Sequence, residues 1–281
     1  MSLYNTNEGV SSMYKIIALD MDGTLLNDKK KVTDRTKEAL KLAREKGVKV
    51  VLSSGRPIEG LERYLNELEL IDDNEYVLSY NGCLVQETKS RDIICERGLK
   101  GEDLHYAYNI SKELGVNIHA FSPERGLITP KISKYTEVEA DINGIDINIC
   151  DFDEIGSDEN IVKIMYIDEP EILDAAIEKL PKEIYEKYYI AKSTPYFFEI
   201  INKNGNKGVG LKALADHLNI SKDEVIAVGD AGNDLAMIEY AGLGVAMGNA
   251  TNEVKEASNF ITKSNEEDGV AHVIEKFILN K

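Results

Sequence analysis

The chain has 281 residues, with 33 Lys+Arg against 50 Asp+Glu and a formal net charge of −17. Its length allows two domains and its 43% hydrophobic content is enough to bury an ordinary core. The acidity argues against nucleic acid and anionic membrane surfaces as partners, but not against a small anionic ligand, because a metal and a few local cations can reverse the sign inside a pocket.

Residues 1–13 are polar, lack the apolar stretch of a secretory signal, and read as a disordered tail. The first element is the run Ile16-Ile17-Ala18-Leu19, a short apolar strand that leads into Asp20-Met21-Asp22-Gly23-Thr24. A polar connection, 25–31, precedes a helix capped by Thr33 or Asp34, with Ala39, Leu40 and Ala43 on its apolar face and Gly47 at its end. Val48–Leu52 is a second buried strand. It ends in Ser53-Ser54-Gly55-Arg56-Pro57, where Pro57 suits the first turn of a helix running to about Leu70. Tyr76–Ser79 is a third strand, closed by Asn81-Gly82. Strand, helix, strand, helix, strand predicts a parallel sheet.

From about Leu84 to Lys192 the strands are shorter, as in Asn117–Phe121 and Lys163–Ile167, with helical stretches at 102–114 and 170–180. That mixture reads as a separate α+β module. Tyr196–Ile201 returns the chain to the main domain, and a helix follows from Lys207. Val225–Val228 is a further buried strand ending in Gly229-Asp230-Ala231-Gly232-Asn233-Asp234. A helix, the strand Gly244–Met247 and a terminal helix near 269–279 complete the pattern. The fold class expected is α/β, a Rossmann-like parallel-sheet core with an inserted α+β domain. The core takes 1–82 and 195–281, and the insertion takes 83–194.

The polar residues at the ends of the core strands carry the chemistry. Ligands of open parallel sheets bind at the carboxyl ends of the strands. Asp20 and Asp22 would repel each other there unless something positive held them, and Mg²⁺ is the usual answer. One carboxylate can attack phosphorus and split a hard displacement into two easier ones, while the other moves protons. Ser54 and Gly55 offer a hydroxyl and backbone N–H groups beside a helix start. Arg56 reads as a partner for the abundant acids. Lys207 opens a helix, where a cation works against the helix dipole, which makes it a functional candidate suited to a transferring phosphoryl group. Asp230 placed opposite Asp20 would complete a Mg²⁺ site, with Asn233 and Asp234 beside it.

Cys83, Cys95 and Cys150 form no CxxC pattern, and their odd count fits a reduced, cytoplasmic setting. No segment approaches the length of a membrane span. His105, His119, His217 and His272 show no metal-ligand spacing.

Four segments carry a resemblance: Asp20-Met21-Asp22-Gly23-Thr24, Ser54-Gly55-Arg56-Pro57, Lys207-Gly208 and Gly229-Asp230-x-x-Asn233-Asp234. Together, and in this order, they resemble the motifs of the haloacid dehalogenase superfamily. Asn81-Gly82 and Phe197-Phe198-Glu199-Ile200 are similar to its Cof-type subfamily of sugar-phosphate phosphatases, which carries a type IIB cap. The resemblance implies that Asp20 is the nucleophile and Asp22 the acid/base. It implies that Asp20, the main-chain carbonyl of Asp22, and Asp230 hold Mg²⁺. Ser54, Gly55, Lys207, Asn233 and the main chain of Met21 would contact the phosphoryl group, and Asp234 would order the outer shell of the metal. Ser54 stands where the subfamily often has Thr, which keeps the hydroxyl.

Only one helix and one strand fit between Asp22 and Ser54, so the lid is expected between Arg56 and Lys207. Its cleft-facing candidates are His119, Arg125, Tyr135, Lys163 and Tyr196. The function expected is a Mg²⁺-dependent phosphatase acting on a small phosphorylated metabolite, a sugar phosphate, through an aspartyl-phosphate. The rival readings are a phosphosugar mutase of the same superfamily and a non-catalytic phosphometabolite sensor. A phospho-accepting receiver would leave Asp22, Lys207 and the insertion unexplained.

Overall fold

The computed structural model describes residues 14–280, so the tail expected at 1–13 lies outside the described residues. The chain divides into two compact units. One comprises the residues up to Leu52 together with those from Ala215 onward, and the other is Ser53–Leu214.

In the first unit the strands lie in the order Phe260–Ile261, Leu243–Ala246, Val225–Gly229, Ile16–Asp20, Lys49–Ser53. Ile16–Asp20 pairs in parallel with Val225–Gly229, and the pairings on to Leu243–Ala246 and Phe260–Ile261 are parallel too. Ile16, Ile17, Ala18 and Leu19 are completely buried, as a strand covered on both faces requires. The register matters most. Leu19 faces Val228, so one residue further on both strands end together, at Asp20 and at Gly229, with Asp230 next.

The helix Asp34–Glu45 begins at Thr33, whose hydroxyl accepts the backbone N–H of Thr36 at 3.2 Å. The cap is therefore Thr33 and not Asp34. Gly47, at φ +83°, turns the chain out of the helix. The helix packs on the terminal helix Gly269–Phe277, where Arg35 bridges Glu275 through Nε–Oε1 at 3.0 Å and Nη2–Oε2 at 2.7 Å.

In the second unit Tyr76–Ser79, Leu84–Glu87 and Ile93–Glu96 form an antiparallel meander. A six-stranded sheet runs in the order Tyr188–Thr194, Phe197–Asn202, Lys163–Ile167, Asn117–Ser122, Gly126–Thr129, Ile147–Ile149. All its pairings are antiparallel except the last. The strand expected at Tyr196–Ile201 as part of the core is Phe197–Asn202, and it belongs to this sheet instead. The run Phe-Phe-Glu-Ile-Ile gives no hint of direction. It is apolar on both sides because the strand is central: Phe198 and Ile200 pack into one core cluster, Phe197 into the other. Likewise the hairpin across Asn81-Gly82 joins Tyr76–Ser79 to Leu84–Glu87, across the boundary expected at residue 83. Pro57 sits before the short helix Glu59–Leu61 rather than in its first turn, and the helix after it, Glu62–Glu67, stops short of Leu70.

Thr33 also donates to Asp268 Oδ1 at 2.5 Å. Thr33→Ala removes the cap and this bond together, and should lower the unfolding free energy by about 1–2 kcal/mol. Urea titration followed by circular dichroism checks it; an unchanged midpoint would show that neither bond counts.

Candidate active site

Because the two strands end in register, Asp20 and Asp230 meet. Asp20, Asp230 and Asp234 each present a carboxylate oxygen, all within 4.8 Å of one another. Asp20 and Asp234 are buried and Asp230 is half-buried. At such a separation two full charges repel by about 3 kcal/mol at an effective dielectric near 20, so the backbone must hold the group together. Asp234 Oδ2 accepts the N–H groups of Asp230 and Ala231 at 2.9 and 3.0 Å, closing the turn that carries Asp230. Thr24 Oγ1 donates to Asp230 Oδ1 at 2.8 Å. Gly23 has φ +88°, and a Cβ there would come within 2.5 Å of Asp230 Oδ2. Only glycine allows this approach.

The side chain of Asp22 is not one of the three. It is 41% exposed, with Oδ1 2.7 Å from Lys30 Nζ. Lys30 is held at φ +56° in a turn where the Asn27 side chain accepts the N–H groups of Lys29 and Lys31. The Asn265 side chain ties this turn down by donating to the Leu26 carbonyl at 3.0 Å. Thr24 and Lys30 escaped the sequence reading. Thr24 could have been found, since a Thr directly after Asp-x-Asp-Gly is a side-chain donor beside carboxylates. Lys30 carried no signal in a run of lysines.

Ser54, Gly55 and Lys207 lie in the other unit, and there they are brought together with Asn81 and Gly82. Ser54 donates its N–H to Leu78 O at 2.9 Å and accepts that of Asn81 at 2.7 Å. Ser54 Oγ accepts the N–H of Arg56 at 3.3 Å. Tyr80, Asn81 and Gly82 are consecutive left-handed residues, at φ +49°, +56° and +79°. The turn they form lies so close to the helix Lys207–His217 that a Cβ on Gly82 would stand 2.6 Å from Asn206 O and 2.8 Å from Lys207 Cα. A Cβ on Gly210 would stand 2.7 Å from Gly82 O. Asn206 caps the helix by accepting the Val209 N–H at 2.9 Å. Lys207, the next residue, is completely buried. Burying an ammonium is costly unless its charge is satisfied. Asn81 and Gly82 entered the sequence reading as a turn signal and as part of the subfamily resemblance; their role here is to lock Ser54 and the start of the Lys207 helix into one piece.

Of the lid candidates, His119, Lys163 and Tyr135 are buried. His119 is completely buried, with Nε2 3.1 Å from Met165 Sδ, and burial together with the Lys163 charge pushes its pKa down to about 3. Lys163 lies 3.6 Å from both Glu139 Oε1 and Glu199 Oε1. Burial pulls its ammonium pKa down, but the two carboxylates outweigh that and hold it up. Tyr135 stacks on Tyr196 at 4.7 Å and donates to Glu169 Oε2 at 2.7 Å. Arg125 is exposed and paired with Glu159.

The sequence profile for haloacid dehalogenase-like hydrolases matches residues 17–274. The chain belongs to this family. YxeH of Bacillus subtilis (strain 168), which is provisionally named a phosphatase, is 46% identical over 271 residues, covering 96% of this chain and all of the relative. The 5-amino-6-(5-phospho-D-ribitylamino)uracil phosphatase YcsE of the same organism is 30% identical over 266 residues, covering 94% of this chain and 96% of the relative. A haloacid dehalogenase-like hydrolase from Bacteroides thetaiotaomicron superposes with a TM-score of 0.82 at 34% identity, over 94% of this chain and 99% of that one. The superfamily read from the four motifs, and the mixed α/β fold with its parallel sheet, are thus those of the known relatives. The chain is a phosphatase, a phosphoric monoester hydrolase, and its substrate is a small phosphorylated compound. Among the described residues no helix is long and apolar enough to cross a membrane.

Two predictions follow from the packing. Gly23→Ala should displace Asp230 and abolish most phosphatase activity while the protein stays folded; full activity would mean the contact is not restrictive. His119 should stay neutral, so its imidazole NMR signals should not move between pH 8 and 5. The unfolded chain binds a proton at this residue below pH ~6.5 and the native one does not. The native state therefore loses stability as pH falls from about 6.5 toward 3, and His119→Asn should flatten that part of the stability curve.

Proposed function

We propose that the protein is a Mg²⁺-dependent sugar-phosphate phosphatase that works through an aspartyl-phosphate on Asp20. One observation carries the reading: Asp20, Asp230 and Asp234 offer three hard oxygen donors within 4.8 Å. That donor set fits a hard divalent cation, with Asp20, Asp230 and the main-chain carbonyl of Asp22 as ligands and Asp234 ordering the surroundings. When bound, Mg²⁺ supplies positive charge that lets a carboxylate and a phosphoryl group approach each other. Superfamily phosphatases generally use this ion.

In the first step a carboxylate oxygen of Asp20 forms a bond to phosphorus and the bond from phosphorus to the ester oxygen breaks. The departing oxygen takes a proton from the carboxyl of Asp22. In the second step Asp22, now a carboxylate, takes a proton from water. The water oxygen bonds to phosphorus, the acyl-phosphate bond breaks, and inorganic phosphate leaves with Asp20 restored. The exposure of Asp22 suits a group that trades protons with both leaving group and water. Ser54 Oγ, the Gly55 and Met21 N–H groups, Asn233 and Lys207 bind the phosphoryl oxygens, positioning and charge neutralisation being most of what phosphoryl transfer needs. Sugar phosphates are the favoured class because the family resemblance runs through Asn81-Gly82 and Phe197–Ile200. The relative YcsE is named for a phosphorylated ribityl compound, which is consistent with this choice.

Asp20→Asn should lower kcat on hexose 6-phosphates by about a thousandfold or more, as loss of a nucleophile does. Chelation with EDTA should abolish turnover, and added Mg²⁺ should restore it. Near-normal activity of the variant would overturn the nucleophile assignment; activity untouched by EDTA would overturn the metal requirement.

A further inference from the structure

The Ser53–Leu214 unit contains a cavity of about 480 Å³. Its lining residues adjoin, in the sequence, those assigned above to the phosphoryl group. Ile58 and Glu59 follow Ser54-Gly55-Arg56-Pro57 directly, and Tyr80 immediately precedes Asn81-Gly82. Part of the wall is apolar: Tyr80 meets Phe121 edge to face, ring centres 5.4 Å apart. The rest is acidic. Glu59, Glu124 and Asp146 are exposed and contribute three carboxylates. Among the described lining residues Arg125 alone is basic, and its guanidinium is committed to Glu159 through Nε–Oε1 at 2.5 Å and Nη2–Oε2 at 3.1 Å.

Two further observations point to the ligand. Gln86 lines the same wall and is 8% exposed. Its amide nitrogen donates to Arg91 O at 3.3 Å, while Oε1 has no hydrogen-bond partner. A buried acceptor without a donor is costly, so a hydroxyl or ammonium reaching it is favoured. Burial, reinforced by the charge of Glu124, holds the nearby Glu96 carboxyl above its ordinary pKa range. A second anion would add to the negative charge already there.

We propose that the cavity receives the phosphate-free part of the substrate, and that it accepts a hydroxyl- or amine-bearing remainder while discriminating against one that carries a second anion. This rests on the phosphatase reading above. Hydroxyls find Gln86 Oε1 and the carboxylates as acceptors, and an ammonium gains their charge as well. A carboxylate or a second phosphate finds no uncommitted cation in the wall.

The test compares kcat/KM, with Mg²⁺, for matched pairs. Sorbitol 6-phosphate and 6-phosphogluconate differ in a hydroxymethyl against a carboxylate, while glucosamine 6-phosphate and glucose 6-phosphate differ in an ammonium against a hydroxyl. p-Nitrophenyl phosphate reports the chemistry apart from polyol recognition. Sorbitol 6-phosphate should exceed 6-phosphogluconate by about tenfold or more, a like-charge effect of ordinary size. The amino sugar should match or exceed glucose 6-phosphate. The gap should narrow as salt screens the wall, which tests the wild-type protein alone. The double variant Glu124→Gln, Asp146→Asn should close it to about twofold, with a thermal melt confirming that it folds. Equal rates on sorbitol 6-phosphate and 6-phosphogluconate, or a gap indifferent to salt, would overturn the cavity proposal while p-nitrophenyl phosphate turnover left the phosphatase reading intact. Inertness toward every ester, p-nitrophenyl phosphate included, would instead sink that reading itself.

Discussion

Parallel pairing in register is the constraint from which the aspartate centre follows. Ile16–Leu19 pairs residue for residue with Val225–Val228, and both strands then run out of apolar sequence at the same level. The sheet therefore delivers Asp20 and the turn bearing Asp230 to one place whether or not their charges favour it. The turn is built to withstand this. Asp234 uses an oxygen on two backbone N–H groups, Thr24 donates to Asp230, and Gly23 leaves the space that Asp230 occupies. The first two replace hydration that the carboxylates lose on burial with fixed dipoles, which is how a concentrated charge becomes a persistent feature of a fold.

The Ser53–Leu214 unit meets a different demand, close approach of backbones. Three left-handed residues in succession, two of them not glycine, cost conformational energy. The turn they make is wedged against the helix Lys207–His217, with glycine on both sides of the contact, at Gly82 and Gly210. Asn81 then fixes Ser54, donating its N–H to Ser54 O at 2.7 Å. Strain at one turn is thus exchanged for a fixed relation between a serine and a lysine that are 153 positions apart in the chain.

Much of this was legible in the sequence, for reasons that differ by element. Buried parallel strands such as Ile16–Leu19 and Val225–Val228 announce themselves as unbroken apolar runs, and the polar residues at their ends stand out by contrast. Helix limits were readable where a cap was explicit, as at Thr33, and less so after Pro57, where no capping side chain marks the start. Strand direction was not legible. Phe197–Asn202 reads as a buried strand in either setting, and only its partners, Lys163–Ile167 and Tyr188–Thr194, place it in the antiparallel sheet. The cavity wall was equally hidden, since Glu59, Gln86, Glu124 and Asp146 come from separate segments that no local pattern connects.

Lys163 shows why a charged residue in a plausible place is a poor guide by itself. It faces the same side of its sheet as His119 and Phe121, yet it is buried and lies between two carboxylates of its own unit, Glu139 and Glu199. Burial raises the Glu139 carboxyl pKa against the pull of Lys163. Charge in that triad is balanced from within: a cation sits between acids, and one acid leans toward its neutral form. Asp20, Asp230 and Asp234 are chemically the opposite case, a group drawn from one sign only. A cluster that balances its own charge is explained by the fold that contains it. A cluster of acids gathered at the end of a sheet and steadied by backbone dipoles is instead a candidate for holding a cation, and clusters of that kind are where functional sites are sought.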